Sequence, residues 1–164
     1  MIDRTLRVVV EIPKGSRNKY ELDHETGRIR LDRMLFTSVQ YPTDYGFIEG
    51  TLGSDGDPLD ALVLVGEATF PGCEIHARPI GIFHMADEKG DDEKVLCVPV
   101  SDPHWSAIHR LDEIQPSLLR EIEHFFTIYK DLEAEKGTTI KGWEDEHSAW
   151  RVIEEALTRA EQPT

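Results

Sequence analysis

The order in which the hydrophobic pattern changes along this 164-residue chain constrains its fold more than any other feature. Short apolar or alternating runs, which are typical of β-strands, come first, and helical spacing appears only in the last third. Because five or more strands without an intervening helix favour a barrel, the pattern predicts an α+β protein built on a β-barrel. The predicted strands lie at residues 8–12, 19–23, 28–32, 61–65, 74–83 and 95–100, with a bend near Pro79 and Gly81.

Two amphipathic helices are predicted after the strands. Apolar residues from Leu118 to Tyr129 follow the spacing of one helix face, and Pro116 suits the first turn of that helix. A second stripe, from Ala149 to Leu157, indicates a C-terminal helix. Since no repeat, low-complexity segment or linker divides the chain, we expect a single domain over residues 1–164.

The charge and the cysteines of the chain exclude several classes of function. A formal net charge of −14 disfavours binding to nucleic acid or to anionic membranes, which attract basic surfaces. No apolar stretch is long enough to span a membrane, and the N terminus lacks the apolar core of a signal peptide, so we expect a cytoplasmic protein with no nucleic-acid or membrane partner. Cys73 and Cys97 are not spaced for a disulfide framework or a zinc site and are predicted to be buried free thiols.

The first of two acidic segments lies directly before a predicted strand. It contains Asp55, Asp57 and Asp60, and Gly56 and Pro58 restrict the backbone between these acids. Carboxylates crowded in this way raise one another's pKa or recruit a cation. The spacing does not fit a calcium-binding loop of the EF-hand type, which requires a glycine at its sixth position and a glutamate at its twelfth.

The second acidic segment, residues 87–94, separates two predicted strands and includes Asp87, Asp92 and Lys94. A charge run of this kind usually faces water. If the strands that follow the two acidic segments belong to one barrel, however, both segments open at the same rim and offer oxygen ligands for two or more cations. Oxygen ligands without a cluster of histidines or cysteines favour Mg²⁺ or Mn²⁺ over zinc.

Groups that bind anions occur elsewhere in the chain. Lys19 and Arg33 belong to the predicted hairpin, Lys130 follows the first helix, and the Tyr45 hydroxyl is a hydrogen-bond donor. An acidic site for a polyphosphate needs such groups, because cations alone do not orient the phosphate oxygens. The chain has no Gly-rich phosphate loop, dinucleotide fingerprint or nucleophile elbow, so phosphate binding would depend on metals and side chains.

The chain closely resembles the soluble family I inorganic pyrophosphatases, particularly their compact bacterial form. The resemblance extends over residues 11–133, whereas residues 134–164 match that family poorly. Its most specific part is the DGDPxD element followed at the right distance by DExxxDxK. The motifs that carry it are EIPKGSRNKY at residues 11–20, Asp32 with Arg33, YPTDYGF at 41–47, DGDPLD at 55–60, DEKGDDEK at 87–94 and HFFTIYKDLE at 124–133.

This resemblance implies an OB-like closed barrel with helices packed outside it, and an enzyme that hydrolyses inorganic pyrophosphate to two orthophosphates with a metal-activated water. It also implies a homohexamer. The metal ligands, for several Mg²⁺ ions, would be Glu11, Asp55, Asp60, Asp87 and Asp92.

The resemblance also assigns roles to the remaining polar residues. Glu21 would be a supporting carboxylate, and the general base would be either Asp92 or Asp57. The phosphate-binding residues would be Lys19, Arg33, Tyr45, Lys94, Tyr129 and Lys130.

Two other functions compete with this interpretation. The first is a Ca²⁺- or Mg²⁺-binding module without turnover, which the anion-binding residues Lys19, Arg33 and Lys130 oppose. The second is a hydrolase for a larger phosphate ester such as a nucleotide, for which the sequence offers no aromatic pair or Gly-rich element suited to a base.

Overall fold

A computed structural model describes residues 4–133 and 137–162 of the chain. These residues form eight strands, two α-helices and one short 3₁₀ turn at Leu111–Glu113. The elements are, in chain order, β1 (Leu6–Ile12), β2 (Asn18–Leu22), β3 (Ile29–Met34), β4 (Asp44–Ile48), β5 (Asp60–Val63), β6 (Glu74–Asp87), β7 (Gly90–Pro99), α1 (Pro116–Ile128), β8 (Thr138–Asp145) and α2 (Glu146–Glu161).

Five of the strands close into a barrel. The sheet runs β1-β4-β5-β7-β6, and β6 returns to pair antiparallel with β1. Where β4 crosses β1, a Cβ on Gly46 would lie only 1.9 Å from the carbonyl oxygen of Val9, so the strands approach at a distance that only glycine permits. β8 adds to the edge of β6, and β2 with β3 forms a separate hairpin. The predicted α+β fold with an OB-like barrel is confirmed.

The pairing of β5 with β7 is parallel, and it places Asp60 opposite Lys94. Both acidic segments therefore enter the barrel at the same edge, as expected if their strands share one sheet. The register of β6 shifts between Pro79 and Gly81, where the sequence predicted a bend. This bulge lets β6 pair with β1 at one end and with β8 at the other.

Apolar side chains are buried on both faces of the central strands. On β5, Ala61 and Val63 belong to one core cluster, to which α2 contributes Ala149, Ile153 and Ala156. Leu62 points to a second cluster, which α1 completes with Ile122, Phe125 and Phe126. Each helix therefore covers one apolar surface of the barrel, and the end of α1 is held next to the strands that carry the acidic residues.

Four features differ from the sequence-based expectation. The segment at residues 41–47, where no strand was predicted, contributes strand β4, and β8 was not predicted at all. β7 begins at Gly90 instead of residue 95, because its acidic residues pair with the end of β6 in an extended hairpin. Cys97 is buried as predicted, but Cys73 is partly exposed. Neither described helix is both long and apolar enough to cross a membrane.

Candidate active site

The ammonium group of Lys94 lies at the centre of the polar cluster at this edge of the barrel. Its side chain lies on β7, is only 2% exposed, and donates to the Tyr45 hydroxyl on β4 at 2.7 Å. It also contacts Asp60 Oδ2 at 3.2 Å and Asp92 Oδ2 at 3.1 Å. Phe126 of α1 closes the cluster from the apolar side, with its ring centroid 5.1 Å from Lys94 Nζ.

The electrostatics of this cluster follow from burial and from close pairing. Burial alone would lower the pKa of Lys94, but the adjacent Asp60 and Asp92 outweigh it and hold the pKa above its ordinary value. Burial raises the pKa of Asp60, an effect that Lys94 opposes and Asp92 reinforces. The pKa of the Tyr45 hydroxyl is raised by burial and by both carboxylates, so Tyr45 stays protonated and can donate a hydrogen bond.

Glu11, near the end of β1, adds a further carboxyl group to the cluster. Its Oε2 accepts the Leu22 backbone N–H at 2.8 Å, which ties hairpin strand β2 to the barrel. Burial raises the pKa of Glu11 to about 7 against the lowering effect of this hydrogen bond, and the nearby Asp60 and Glu21 raise it further. Glu11 therefore lies within electrostatic reach of Asp60 and of the exposed Glu21 on β2.

Two cationic side chains of the hairpin pair with further carboxylates. Lys19 Nζ lies 3.3 Å from Asp32 Oδ2, which also accepts from Arg33 Nη1 at 2.9 Å. Arg33 Nε donates to Glu133 Oε1 at 2.6 Å, a contact between residues 100 positions apart in the chain. The hairpin and the segment after α1 are thus joined through one guanidinium group.

The end of α1 contributes Tyr129 and Lys130. Both are buried, and Lys130 Nζ lies 3.5 Å from Asp87 Oδ2 at the end of β6. Burial raises the pKa of Tyr129; the charges near enough to modify that pKa are those of Lys94, Asp92, Asp87 and Arg33. Tyr129 is therefore within electrostatic reach of the carboxylates of β6 and β7 and of the hairpin's Arg33.

Asp55 and Asp57 lie in the exposed loop before β5. Asp55 lines a cavity together with Asp60 and Asp92, and its Oδ1 accepts the Asp57 backbone N–H at 3.0 Å. The Asp57 side chain has no hydrogen bond or ion pair to any other residue in 4–133 or 137–162. Asp55 therefore belongs with the cluster by position, whereas Asp57 lies at its exposed margin.

The structure gathers most of the predicted site residues around Lys94. Twelve of the thirteen are joined by hydrogen bonds, ion pairs, electrostatic contacts or a shared cavity, and Asp57 is the exception. Among the described residues, no three or more His, Cys, Asp or Glu side chains are arranged to hold a metal ion by themselves. Asp60 and Asp92 share Lys94 instead, and Asp87 pairs with Lys130.

Sequence reasoning gave no role to two carboxylates that the structure places in the cluster. Asp32 bridges Lys19 and Arg33, and its position beside Arg33 in the hairpin was the available signal. Glu133 binds Arg33 from the far end of α1 with a side chain only 9% exposed. No local pattern could have identified this contact, because it depends on how α1 docks against the hairpin.

A barrel that presents partly buried carboxylates side by side with cationic side chains defines a class of site that binds a phosphate-rich anion together with cations. The match to known families specifies this class further. The model of the inorganic pyrophosphatase family matches residues 8–161, and the chain belongs to this family. The family assignment made from the motifs is confirmed, and the match continues through residues 134–161, where the sequence comparison had suggested a poor fit.

Individual relatives agree with this assignment over almost their whole length. The inorganic pyrophosphatase of Streptomyces coelicolor is 58% identical over 155 residues, which cover 93% of each protein. That of Methanosarcina mazei is 55% identical over 152 residues, covering 93% of this chain and 89% of the relative. The solved structure of the Helicobacter pylori inorganic pyrophosphatase superposes with a TM-score of 0.95 at 44% identity, covering 98% of this chain and 96% of that one.

Proposed function

We propose that this chain hydrolyses inorganic pyrophosphate to two orthophosphates in the cluster around Lys94, with Mg²⁺ as the activating cation and Mn²⁺ as an alternative. The observation that carries the proposal is the side-by-side placement of opposite charges at one edge of the barrel. Lys94 lies between Asp60 and Asp92, and Arg33 and Lys130 reach the same cluster from outside the barrel. A pure cation-binding module has no use for these buried cations.

The chemistry of the side chains fits Mg²⁺. Every candidate ligand is a carboxylate oxygen, which hard cations prefer, and Asp55, Asp60 and Asp92 line one cavity. Mg²⁺ keeps several water ligands and usually takes only one or two carboxylates together with phosphate oxygens, so a ready-made cage of three ligands is not required. The residues proposed to hold the cations are Glu11, Asp55, Asp60, Asp87 and Asp92.

The cationic and phenolic side chains are proposed to bind the phosphate groups. Arg33 presents a planar fork that suits phosphate oxygens, and its contact with Glu133 fixes the direction of the fork. Tyr45 and Tyr129 remain protonated because burial raises the pKa of each hydroxyl, so both act as donors. The full proposed set is Lys19, Arg33, Tyr45, Lys94, Tyr129 and Lys130.

The reaction is a displacement at one phosphorus of pyrophosphate. A divalent cation held by the proposed carboxylates would supply a water molecule of lowered pKa, able to attack near neutral pH. The water oxygen forms a bond to one phosphorus while the bond from that phosphorus to the bridging oxygen breaks, and the second phosphate leaves with the bridging oxygen. The proton of the water passes to a carboxylate, and the charge on the leaving phosphate is stabilised by the surrounding Lys and Arg side chains.

We propose Asp92 as the carboxylate that accepts this proton, with Asp57 as the alternative. Asp92 contacts Lys94 directly, so its position relative to the phosphate-binding cation is fixed by strand β7. Asp57 is exposed and lies in the loop before β5, where it depends on the bound substrate for its position. The positioned group is the better general base, because proton transfer requires hydrogen-bond reach.

Phosphate release from pyrophosphate tests the proposed function. We expect rapid release with Mg²⁺, none with EDTA, and much slower release with Ca²⁺, whereas ATP and p-nitrophenyl phosphate should be poor substrates. Binding of Mg²⁺ without turnover would identify a binding module instead. Equal turnover of ATP would identify a hydrolase for larger phosphate esters.

Further proposals concern the assembly and its location. We propose that the chain forms one domain and acts as a homohexamer in the cytoplasm. Support for an oligomer comes from large apolar side chains that the isolated chain leaves more than half exposed, among them Met34, Phe36 and Phe70. Light scattering after size-exclusion chromatography would measure the number of subunits, and a monomeric mass would contradict the hexamer.

A further inference from the structure

The C-terminal helix α2 forms hydrogen bonds with both the backbone N–H and the backbone carbonyl of Leu52. This residue directly precedes the loop that carries Asp55 and Asp60. Leu52 donates its backbone N–H to the Ala156 carbonyl at 3.1 Å. The Leu52 carbonyl in turn accepts from Arg159 Nη1 at 2.6 Å. A hydrogen bond from a charged guanidinium is among the stronger kinds, so Leu52 is fixed to the last turns of α2.

This anchor sets the start of the loop. Directly after Leu52, Gly53 donates its N–H to the Asp57 carbonyl at 2.7 Å, which folds the loop back on itself. Arg159 also lines the cavity that Asp55, Asp60 and Asp92 line, and among the described residues that line it Arg159 is the only cationic one. Its guanidinium is therefore hydrogen-bonded to the residue directly before the loop, and its side chain lines the same cavity as the carboxylates.

We propose that Arg159 is a positioning residue: by binding the Leu52 carbonyl it holds the loop of residues 53–60 where Asp55 and Asp60 can bind a divalent cation together. The proposal rests on the proposed function, because it assigns a role in cation binding. It gives α2 a task in the reaction, although no residue of this helix belongs to the predicted site.

Arg159 can influence cation affinity in two opposite ways. As a positive charge beside Asp55 and Asp60, it repels a cation, so its removal would tighten cation binding. As an anchor of the loop, it preorganises the ligands, so its removal would weaken cation binding. The direction of the change in Arg159→Met therefore separates positioning from a simple charge effect.

Hydrogen–deuterium exchange of the metal-free protein tests the anchor without any turnover. We expect faster exchange in the peptide covering residues 51–57 for Arg159→Met, and intermediate exchange for Arg159→Lys, which keeps one donor. Arg151→Met is the matched control, since Arg151 is an exposed residue of the same helix that does not line this cavity. Unchanged exchange in Arg159→Met would overturn the proposal.

Calorimetric titration with Mn²⁺ alone, without pyrophosphate, tests the consequence for the cation. We expect the Kd for Mn²⁺ to rise about threefold to tenfold in Arg159→Met, as loss of one hydrogen bond predicts, with partial rescue in Arg159→Lys and no change in Arg151→Met. Tighter or unchanged Mn²⁺ binding in Arg159→Met would overturn the proposal, whatever happens to its melting temperature. Failure of the proposed function would appear separately, as absence of pyrophosphate turnover in the unaltered chain.

Discussion

Two segments supply carboxylates to the site, and they hold them in different ways. Asp92 lies within strand β7, two residues before Lys94, so both side chains point to the same face and contact each other. Asp55 and Asp57 lie in an exposed loop held by two hydrogen bonds: the Thr51 hydroxyl accepts the Leu59 N–H, and the Leu52 N–H donates to the Ala156 carbonyl of α2. The strand therefore delivers a carboxylate at a fixed distance from a buried cation, whereas the loop delivers carboxylates whose positions can adjust.

This difference suggests a division of tasks. Groups that take part in proton transfer need fixed geometry, which a paired strand provides. Groups that bind a cation which arrives with the substrate benefit from some conformational freedom, provided that an anchoring contact limits the positions they can occupy. Four predictions test this comparison: the first concerns the strand, the second compares strand and loop, the third concerns the loop, and the last concerns a site that belongs to neither.

The largest effect is expected for Lys94→Met. This change leaves the partly buried Asp60 and Asp92 without their shared cation. Breaking a fully buried pair costs about 3–5 kcal/mol of the free energy of unfolding, and because both carboxyls keep some contact with water we expect a loss of about 2–4 kcal/mol at pH 7. Such carboxyls bind protons more tightly in the folded than in the unfolded state, so the folded state regains stability as the pH falls and the deficit shrinks toward about pH 4. Urea denaturation of the metal-free protein at several pH values measures this.

The control for Lys94→Met is its combination with Asp60→Asn. The double variant removes one of the two unpaired charges, so it should recover part of the lost stability at pH 7. Equal stability of the single variant and the unaltered chain would show that Lys94 is not needed to balance the strand carboxylates.

Asp92→Asn and Asp57→Asn compare strand and loop directly. If Asp92 is the general base, Asp92→Asn lowers kcat by about 10²- to 10⁴-fold and alters the pH–rate profile. Asp57→Asn should lower kcat by less than about tenfold and leave the shape of the profile unchanged. The reverse pattern would assign the base to Asp57, and no change in either profile would exclude both.

Thr51→Val disturbs the loop without touching the cluster. The buried Thr51 hydroxyl donates to the Ile48 carbonyl at 2.6 Å and accepts the Leu59 N–H at 3.0 Å, so it fastens both ends of the loop. Losing these bonds should cost about 1–3 kcal/mol of the free energy of unfolding. Thr127→Val is the control: among the described residues its exposed hydroxyl bonds only to the Glu123 carbonyl within α1, and its loss should cost below about 0.5 kcal/mol.

The smallest effect is expected for Asp145→Ala. Asp145 caps α2 by accepting the Ser148 N–H, and this hydrogen bond lowers the pKa of its carboxyl group. A carboxyl with a lowered pKa stabilises the fold above its unfolded pKa, and this stability is lost as the pH falls through the folded pKa. The melting temperature of Asp145→Ala should therefore be slightly below that of the unaltered chain at pH 7, and this difference should become smaller at acidic pH. Pyrophosphate turnover at pH 7 should be unchanged.

The accuracy of the sequence-based predictions depended on how local each signal was. The apolar runs of β1, β5 and β7 and the stripes of both helices were recognised, because burial of one face imposes a short period on the sequence. β8 was missed because its partly exposed residues mix charges with aromatics and so lack a clean alternation. β4 was hidden because Gly46, which permits the close approach to β1, suggests a turn when seen in sequence alone.

For the candidate site, too, only the local signals could be recognised in the sequence. Motif spacing indicated Asp55, Asp60, Asp87 and Asp92 as a group, because each motif places its acids at the edge of a strand. The roles of Asp32, Glu133 and Arg159 were not predicted, since each depends on a contact formed after docking of the hairpin, α1 or α2.

The sequence by itself determined the class of fold, the family and the set of side chains available for chemistry, because periodicity and motif spacing are local properties of the chain. Only the tertiary structure decided how these side chains are paired. Barrel closure sets Asp60 opposite Lys94 through the parallel pairing of β5 with β7, and helix packing brings Glu133 to Arg33 and Arg159 to Leu52. Contacts between residues so far apart depend on strand register and helix docking, which the whole apolar core fixes together.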